Sequence, residues 1–302
     1  VTSSQQTLKT AIPCTGIGLH SGAKVSLTLR PAEAGTGIAV LRTDVPAARA
    51  VIPARWDHVV DTRLCTVLGN AQGTTVGTVE HLMAALRGCG VDNAVIEVDG
   101  PEIPVMDGSS APWVFLIRCA GLEAQDAPRR VIRVLKEVSV GDGTKLARLT
   151  PADESAFSFD LDYSGTLIGR QHASFRLLDD SFAEDIARAR TFGFLHEVDQ
   201  MRAAGLARGG SLENAIVIDG PRVLNEGGLR FADEFVRHKI LDSVGDLYLA
   251  GAPILGQFHG VRSGHHLNNE VLRALFADEG AWRWEEAAEA EAAAWERVAA
   301  CA

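Results

Sequence analysis

No stretch of the 302-residue chain approaches the roughly 18 consecutive apolar residues of a membrane-spanning helix. The opening VTSSQQTLKT has no charged-then-apolar signal pattern either, so the expectation is a soluble, cytoplasmic protein. Positive charge is in deficit: 29 Lys and Arg face 39 Asp and Glu, for a net charge of −10. That balance argues against a nucleic-acid partner, while leaving room for a local basic pocket that takes a small phosphorylated ligand. The five cysteines, Cys14, Cys65, Cys89, Cys119 and Cys301, are odd in number and contain no C-x-x-C pair, so neither a disulfide framework nor a cysteine zinc knuckle is suggested. H-E-x-x-H, a Walker lysine loop, G-x-S-x-G and P-C-x-x-C are all missing, removing the zincin, nucleotide hydrolase, serine hydrolase and deaminase readings. The chain is long enough for two domains of about 100–150 residues each.

What is present centres on residues 229–249. Val236, Ile240, Val244 and Leu247 recur at helical spacing as an apolar stripe, and His238, Asp242 and Asp246 follow one another at four-residue intervals on another side. This predicts a helix between a core and a cleft. An imidazole and a carboxylate one turn apart can grip one ion, but a catalytic zinc normally has three protein ligands, so another must come from elsewhere.

Residues 5–55 alternate in strand fashion between glycines and predict a β-rich opening. Residues 78–87 predict a helix with Thr78 as N-cap and Gly88 and Gly90 at its end, which puts Glu80 and His81 in the first turn. A strand at 94–98 and a helix at 113–120 follow. The polar, Pro-containing stretch 122–130 reads as a linker. Beyond it the pattern predicts strands at 131–140, 145–150 and 156–163, a helix at 182–190, and a βαβ-type insertion with a helix at 195–204 and a strand at 215–218. The alanine- and glutamate-rich segment 285–297 reads as a solvated terminal helix.

Most of the nine histidines need no special role. His58, His172, His196 and His259 have no partner at a telling spacing and are expected to be surface or satisfied core residues. At a helix start Glu80 and His81 read first as a capped end, with a metal ligand and a base beside the metal as the alternative. His265 and His266 fall in a Gly-containing loop before a helix, the kind of segment that carries function, although by themselves they read first as ordinary loop histidines. His20, in TGIGLHSG, is explained by a turn as well as by a site.

Read together, TGIGLHSG, DTRLCT, TVEHLMAAL, DNAVIEVDGPEIPVMDGSSAP, RARTFGF, GGSLENAIV, NEGGLRFADEFVRHKILDSVGDL and SGHHLNN resemble, in order, the zinc-dependent UDP-3-O-acyl-N-acetylglucosamine deacetylase family. The resemblance implies an α+β fold of two similar two-layer α/β sandwich domains, each with an insert, and an active site in the cleft between them. The expected division is 1–125, 126–280 with its insert at about 192–220, and an acidic helical tail at 281–302. The implied metal ligands are His81, His238 and Asp242, holding Zn2+, with Fe2+ open on the same donor set. Glu80 takes the place of the general base, His265 that of the second catalytic group, Asp246 that of its orienting carboxylate, and Thr191 that of a hydroxyl near the tetrahedral intermediate.

The implied reaction is removal of acetate from UDP-3-O-(3-hydroxyacyl)-N-acetylglucosamine, the committed step of lipid A synthesis. Lys239 matches the family's substrate-binding lysine, Tyr163 stands where the family has an aromatic that meets the uracil, Arg262 is a candidate to meet a phosphate, and Leu19 is a further expected substrate-binding residue, while Phe192, Phe194, Leu195, Val198 and Ala207 are candidates for lining the acyl passage. Arg208 departs from the aliphatic residue expected along such a passage, and its stem is expected to run to the mouth. His266 replaces a small residue. Cys65 is expected as a buried structural thiol. Two other readings remain at this point: a metal amidase acting on another N-acyl sugar, and a non-catalytic metal binder, whose expected loss of Glu80 or His265 has not occurred. A monomer is the default expectation.

Overall fold

Lys24–Pro31 buries Val25, Leu27 and Leu29 and exposes Lys24 and Ser26, the period of two that a one-sided strand requires. In the computed structural model, which describes residues 3–288 and 290, this strand joins a five-stranded sheet in the order Ile12–Ile17, Lys24–Pro31, Ala94–Val98, Ile38–Arg42, Val51–Pro53. Ala94–Val98 runs antiparallel to Lys24–Pro31 and parallel to Ile38–Arg42. A small three-stranded sheet, Val59–Asp61, Val67–Gly69 and Thr75–Val76, interrupts the chain before helix α1 (Glu80–Cys89). Helix α2 (Ala111–Ala120) packs on α1.

The later residues build a seven-stranded sheet around Ile254–Val261, which pairs antiparallel with Leu146–Thr150 and parallel with Arg130–Val134 and Ser155–Tyr163. The insertion is the expected βαβ unit: Phe192–Phe194 is parallel to Ile216–Asp219, and helix α3 (Leu195–Ala203) lies between them in sequence. Helices α4 (Glu234–Tyr248) and α5 (His265–Ala277) follow. The fold class is α+β, as expected.

The apolar stripe of α4 is entirely inside, with Val236, Ile240, Val244 and Leu247 at most 4 % exposed. Each such side chain contributes on the order of 1.5–3 kcal/mol relative to remaining in water. The polar side of α4 is buried as well, since His238, Asp242 and Asp246 are 2–3 % exposed and face α1. The close approach depends on Gly245, where a Cβ would stand 2.0 Å from the carbonyl oxygen of Glu80.

Several local expectations are corrected. The stretch read as a linker is a strand, Leu122–Pro128, paired antiparallel with Ser4–Leu8. Its polarity reflects a two-stranded ribbon with little covered face, and Arg129 just beyond it is buried on Asp92 at 2.6 Å. Residues 131–140 form two strands, Arg130–Val134 and Val138–Gly141. The helix expected at 182–190 is a short π-helical turn, Phe182–Ile186, anchored by buried Phe182 and Ile186. Thr78 does not cap α1: its φ of 57° turns the hydroxyl to Glu102, to which it donates at 2.8 Å. His265 and His266 lie in the first turn of α5 and not in a loop. At 282–286, where the tail division begins, the chain forms a strand along Arg130–Val134. The predicted terminal helix lies largely outside the described residues.

Candidate metal centre

Helix α1 begins with Glu80 and His81, and α4 presents His238 and Asp242 one turn apart, so the Gly245 contact brings the two elements' functional residues together. One ligand atom each from His81, His238 and Asp242 lies within 4.8 Å of the others, and all three residues are buried. The Nδ1–H of His238 donates to the carbonyl of Ala189 at 3.1 Å, which leaves its Nε2 lone pair facing the cluster. Burial pushes the His238 pKa down to about 3, so the ring is neutral. Asp242 Oδ1 is 3.3 Å from Nε2 of His238 and 3.6 Å from Nε2 of His81, yet among the described residues it has no hydrogen-bond partner. Burial opposes charge on Asp242, but its neighbours, the Lys239 ammonium among them, outweigh burial and hold the carboxyl well below its ordinary range. A buried, ionised, unsatisfied carboxylate oxygen between two imidazoles fits a divalent metal better than it fits a hydrogen-bond network.

A second pair stands beside this cluster. Burial raises the Glu80 pKa, and His265 and His81 offset that only in part. Glu80 Oε1 is 3.8 Å from Nε2 of His265, and Oε2 accepts from the backbone amide of Thr66 at 3.0 Å. Burial alone would lower the pKa of His265; the charges of Asp246 and Glu80 reverse this and raise it to about 9. Asp246 holds the ring through Nδ1 at 2.9 Å, directing Nε2 toward Glu80.

Asp246 is in turn held by Thr66 Oγ1 at 2.6 Å and Asn268 Nδ2 at 2.9 Å. Sequence reasoning missed both. Thr66 lies inside DTRLCT, but no spacing ties it to a carboxylate 180 positions later.

Lys239 donates to Asp242 Oδ2 at 2.7 Å and sits 5.7 Å from the centre of the Phe192 ring. Phe192 meets the His238 ring at 6.2 Å, and Tyr163 packs on Phe192 at 6.1 Å and on Phe194 at 5.7 Å. A cavity of about 360 Å³ is lined by Leu19, His20, Thr191, Phe192, Leu195, Val198, Ala207, Leu212, Ala215, Val217 and Leu224, among others. Six predicted residues, Leu19, Thr191, Phe192, Leu195, Val198 and Ala207, thus share one wall system, while Phe194 stands outside it against Tyr163 and His196. Arg262 is not in this cavity. It lies at a separate groove with Asp160, Asp162 and Arg170, with its amide donating to Asp160 O at 2.9 Å. Arg208 is exposed over Gly205, and His266 is exposed. Cys65 is a buried thiol pushed up to about 12, chiefly by burial. His58, His172 and His259 pair with Asp57, Asp160 and Ser158 respectively, as ordinary satisfied histidines.

An α+β scaffold that sets two imidazoles and a carboxylate beside a buried Glu–His pair has the construction of a metal-dependent hydrolase. The chain belongs to the LpxC family, UDP-3-O-acyl N-acetylglycosamine deacetylase, whose family model matches residues 5–277. It is 52 % identical over 290 residues to the UDP-3-O-acyl-N-acetylglucosamine deacetylase of Acidithiobacillus ferrooxidans, covering 95 % of each chain. The like-named protein of Vibrio parahaemolyticus is 50 % identical, over 93 % of this chain and 92 % of its own. That of Phenylobacterium zucineum is 52 % identical, over 92 % and 95 %.

Proposed function

We propose that the protein hydrolyses the acetamide of UDP-3-O-(3-hydroxyacyl)-N-acetylglucosamine, releasing acetate and the free amine, the committed step of lipid A synthesis. The observation that carries this reading is the meeting of His81, His238 and Asp242 with Glu80 and His265 across α1 and α4. The three ligand residues hold zinc, with ferrous iron the alternative ion for the same donors. When bound, the ion supplies Lewis acidity to the amide carbonyl and to the attacking water. Glu80, ionised, takes a proton from that water as its oxygen adds to the carbonyl carbon. His265 keeps its Nδ1 on Asp246 and donates from Nε2 to the nitrogen as the carbon–nitrogen bond breaks. Thr191 offers its hydroxyl to the developing oxyanion.

The cavity beside Thr191 and Phe192 receives the acyl chain, its apolar lining suiting a hydrocarbon. Lys239, Tyr163 and Arg262 serve the nucleotide end. The chain divides near residue 125, so His81 comes from the first part and His238 and Asp242 from the second. Among the described residues no helix is long and apolar enough to cross a membrane. The reading places a monomer in the cytoplasm.

The test is acetate release from the UDP-linked substrate by metal-loaded protein, by a chelated sample and by Glu80→Gln. Turnover that collapses in both controls, by about 10² or more for the lost base, supports the reading. An inactive, metal-loaded wild type overturns it.

A further inference from the structure

His20 is a cavity-wall histidine that the mechanism leaves without work. Its backbone is pinned: His20 N donates to Glu102 Oε1 at 2.9 Å and Ser21 N to Glu102 Oε2 at 2.8 Å. The insertion holds the same loop from the other side, with Arg208 N donating to His20 O at 3.3 Å and Gly209 N to Leu19 O at 3.0 Å. A Cβ on Gly209 would stand 2.2 Å from the carbonyl oxygen of Gly18, so this approach leaves no slack. The backbone that carries the ring therefore has a fixed place. His20 forms part of the wall of the acyl cavity and of a neighbouring cavity that also touches Cys65, Thr78 and Leu206.

Both ring nitrogens are inaccessible, and neither has a hydrogen-bond partner among the described residues. Buried polar atoms are almost always paired, and an unpaired group on a pinned loop at a cavity wall calls for a partner that arrives with the ligand. Burial is the main influence on the ring and lowers its pKa; Glu102 opposes this and His265 adds to it. The imidazole is then neutral at neutral pH, with one donor and one acceptor.

In the proposed substrate, the oxygens at the root of the acyl chain must lie where the reacting sugar gives way to the apolar cavity. We propose that His20 hydrogen-bonds an oxygen at the root of the substrate's acyl chain, either the ester carbonyl or the chain hydroxyl, and so selects substrates that carry it. This rests on the deacetylase reading. His20 acts in binding, and the proton transfers remain with Glu80 and His265.

The experiment compares wild type, His20→Gln and His20→Leu on two UDP-linked substrates, one with a 3-hydroxyacyl chain and one with the same chain lacking the hydroxyl. Expected for His20→Leu is a KM raised about tenfold or more on the hydroxyacyl substrate, with kcat changed less than about threefold. His20→Gln, which keeps a donor and an acceptor, recovers most of the loss. If the hydroxyl is the partner, wild type loses the same factor on the plain chain and His20→Leu loses nothing further. If the ester carbonyl is the partner, His20→Leu is equally impaired on both substrates. An unchanged KM on both, or a fall in kcat alone, overturns the inference while active wild type leaves the deacetylase reading standing. Should His20→Leu not fold, 15N NMR of the wild-type imidazole on addition of the deacetylated UDP-linked product decides. A ring-nitrogen shift supports the contact, and unchanged ring signals at saturation overturn it.

Discussion

Gly245 lies so close to Glu80 that a Cβ on it would be 2.0 Å from the Glu80 carbonyl oxygen and 3.0 Å from the amide of Ala84. The contact is backbone against backbone, so no side chain can move aside. It sets the distance between the helix that carries His81 and the helix that carries His238 and Asp242.

Gly245→Ala is therefore expected to force α1 and α4 apart, at a cost on the order of 1–3 kcal/mol. The metal ligands separate with the helices. A thermal melt and a metal titration on the same samples check this, and an unchanged metal affinity would contradict the geometric role given to Gly245.

Thr66 couples the two carboxylates through different atoms, its amide on Glu80 and its hydroxyl on Asp246. Thr66→Val keeps the shape and the amide but removes the hydroxyl, leaving a buried carboxylate oxygen short of a donor at about 1–3 kcal/mol. Lower stability in urea and a reduced kcat are expected. Thr66→Ser should restore both, and failure of that rescue would point to packing of the Thr66 methyl instead.

The pH dependence of metal-free protein follows from His265. Its folded pKa of about 9 lies above the ordinary value of 6.5, so its stabilising contribution is complete below 6.5 and is lost as pH rises through about 9. Urea unfolding of the chelated protein across that range should show stability falling with pH, and Asp246→Asn should flatten the fall. Turnover carries a related signature: activity rises as Glu80 ionises and declines as His265 loses its proton. Metal loading puts positive charge beside both groups and moves both limbs to lower pH.

The cavity proposed to take the acyl chain predicts a length-dependent defect. Ala215→Phe adds bulk to its wall, and should raise KM for a long-chain substrate while sparing one with a short acyl group. Equal defects for both would indicate general disruption instead of a blocked passage.

The α+β class, the two principal site helices and the βαβ insertion were legible because periods of 3.6 and 2 are local properties of the chain. The helix at 182–190 and the linker at 122–130 were misjudged for the complementary reason. Phe182 and Ile186 are held by tertiary burial, and Leu122–Pro128 becomes a strand only because Ser4–Leu8 lies beside it. Likewise, Thr78 has the residue type and position of a cap, but its hydroxyl serves Glu102, 24 positions away in the chain.

By itself the sequence determined which donor types exist and which of them share a helical turn: His238 with Asp242, and Glu80 beside His81. Motif resemblance joined these pairs into one expected site. Only the tertiary structure decided that the polar side of α4 is buried, that Thr66 and Asn268 support Asp246, and that the His20 ring, at the wall of two cavities, has no hydrogen-bond partner among the described residues. Those relationships depend on contacts between residues far apart in the chain and on the absence of a Cβ at Gly245, and neither leaves a periodic trace in the sequence.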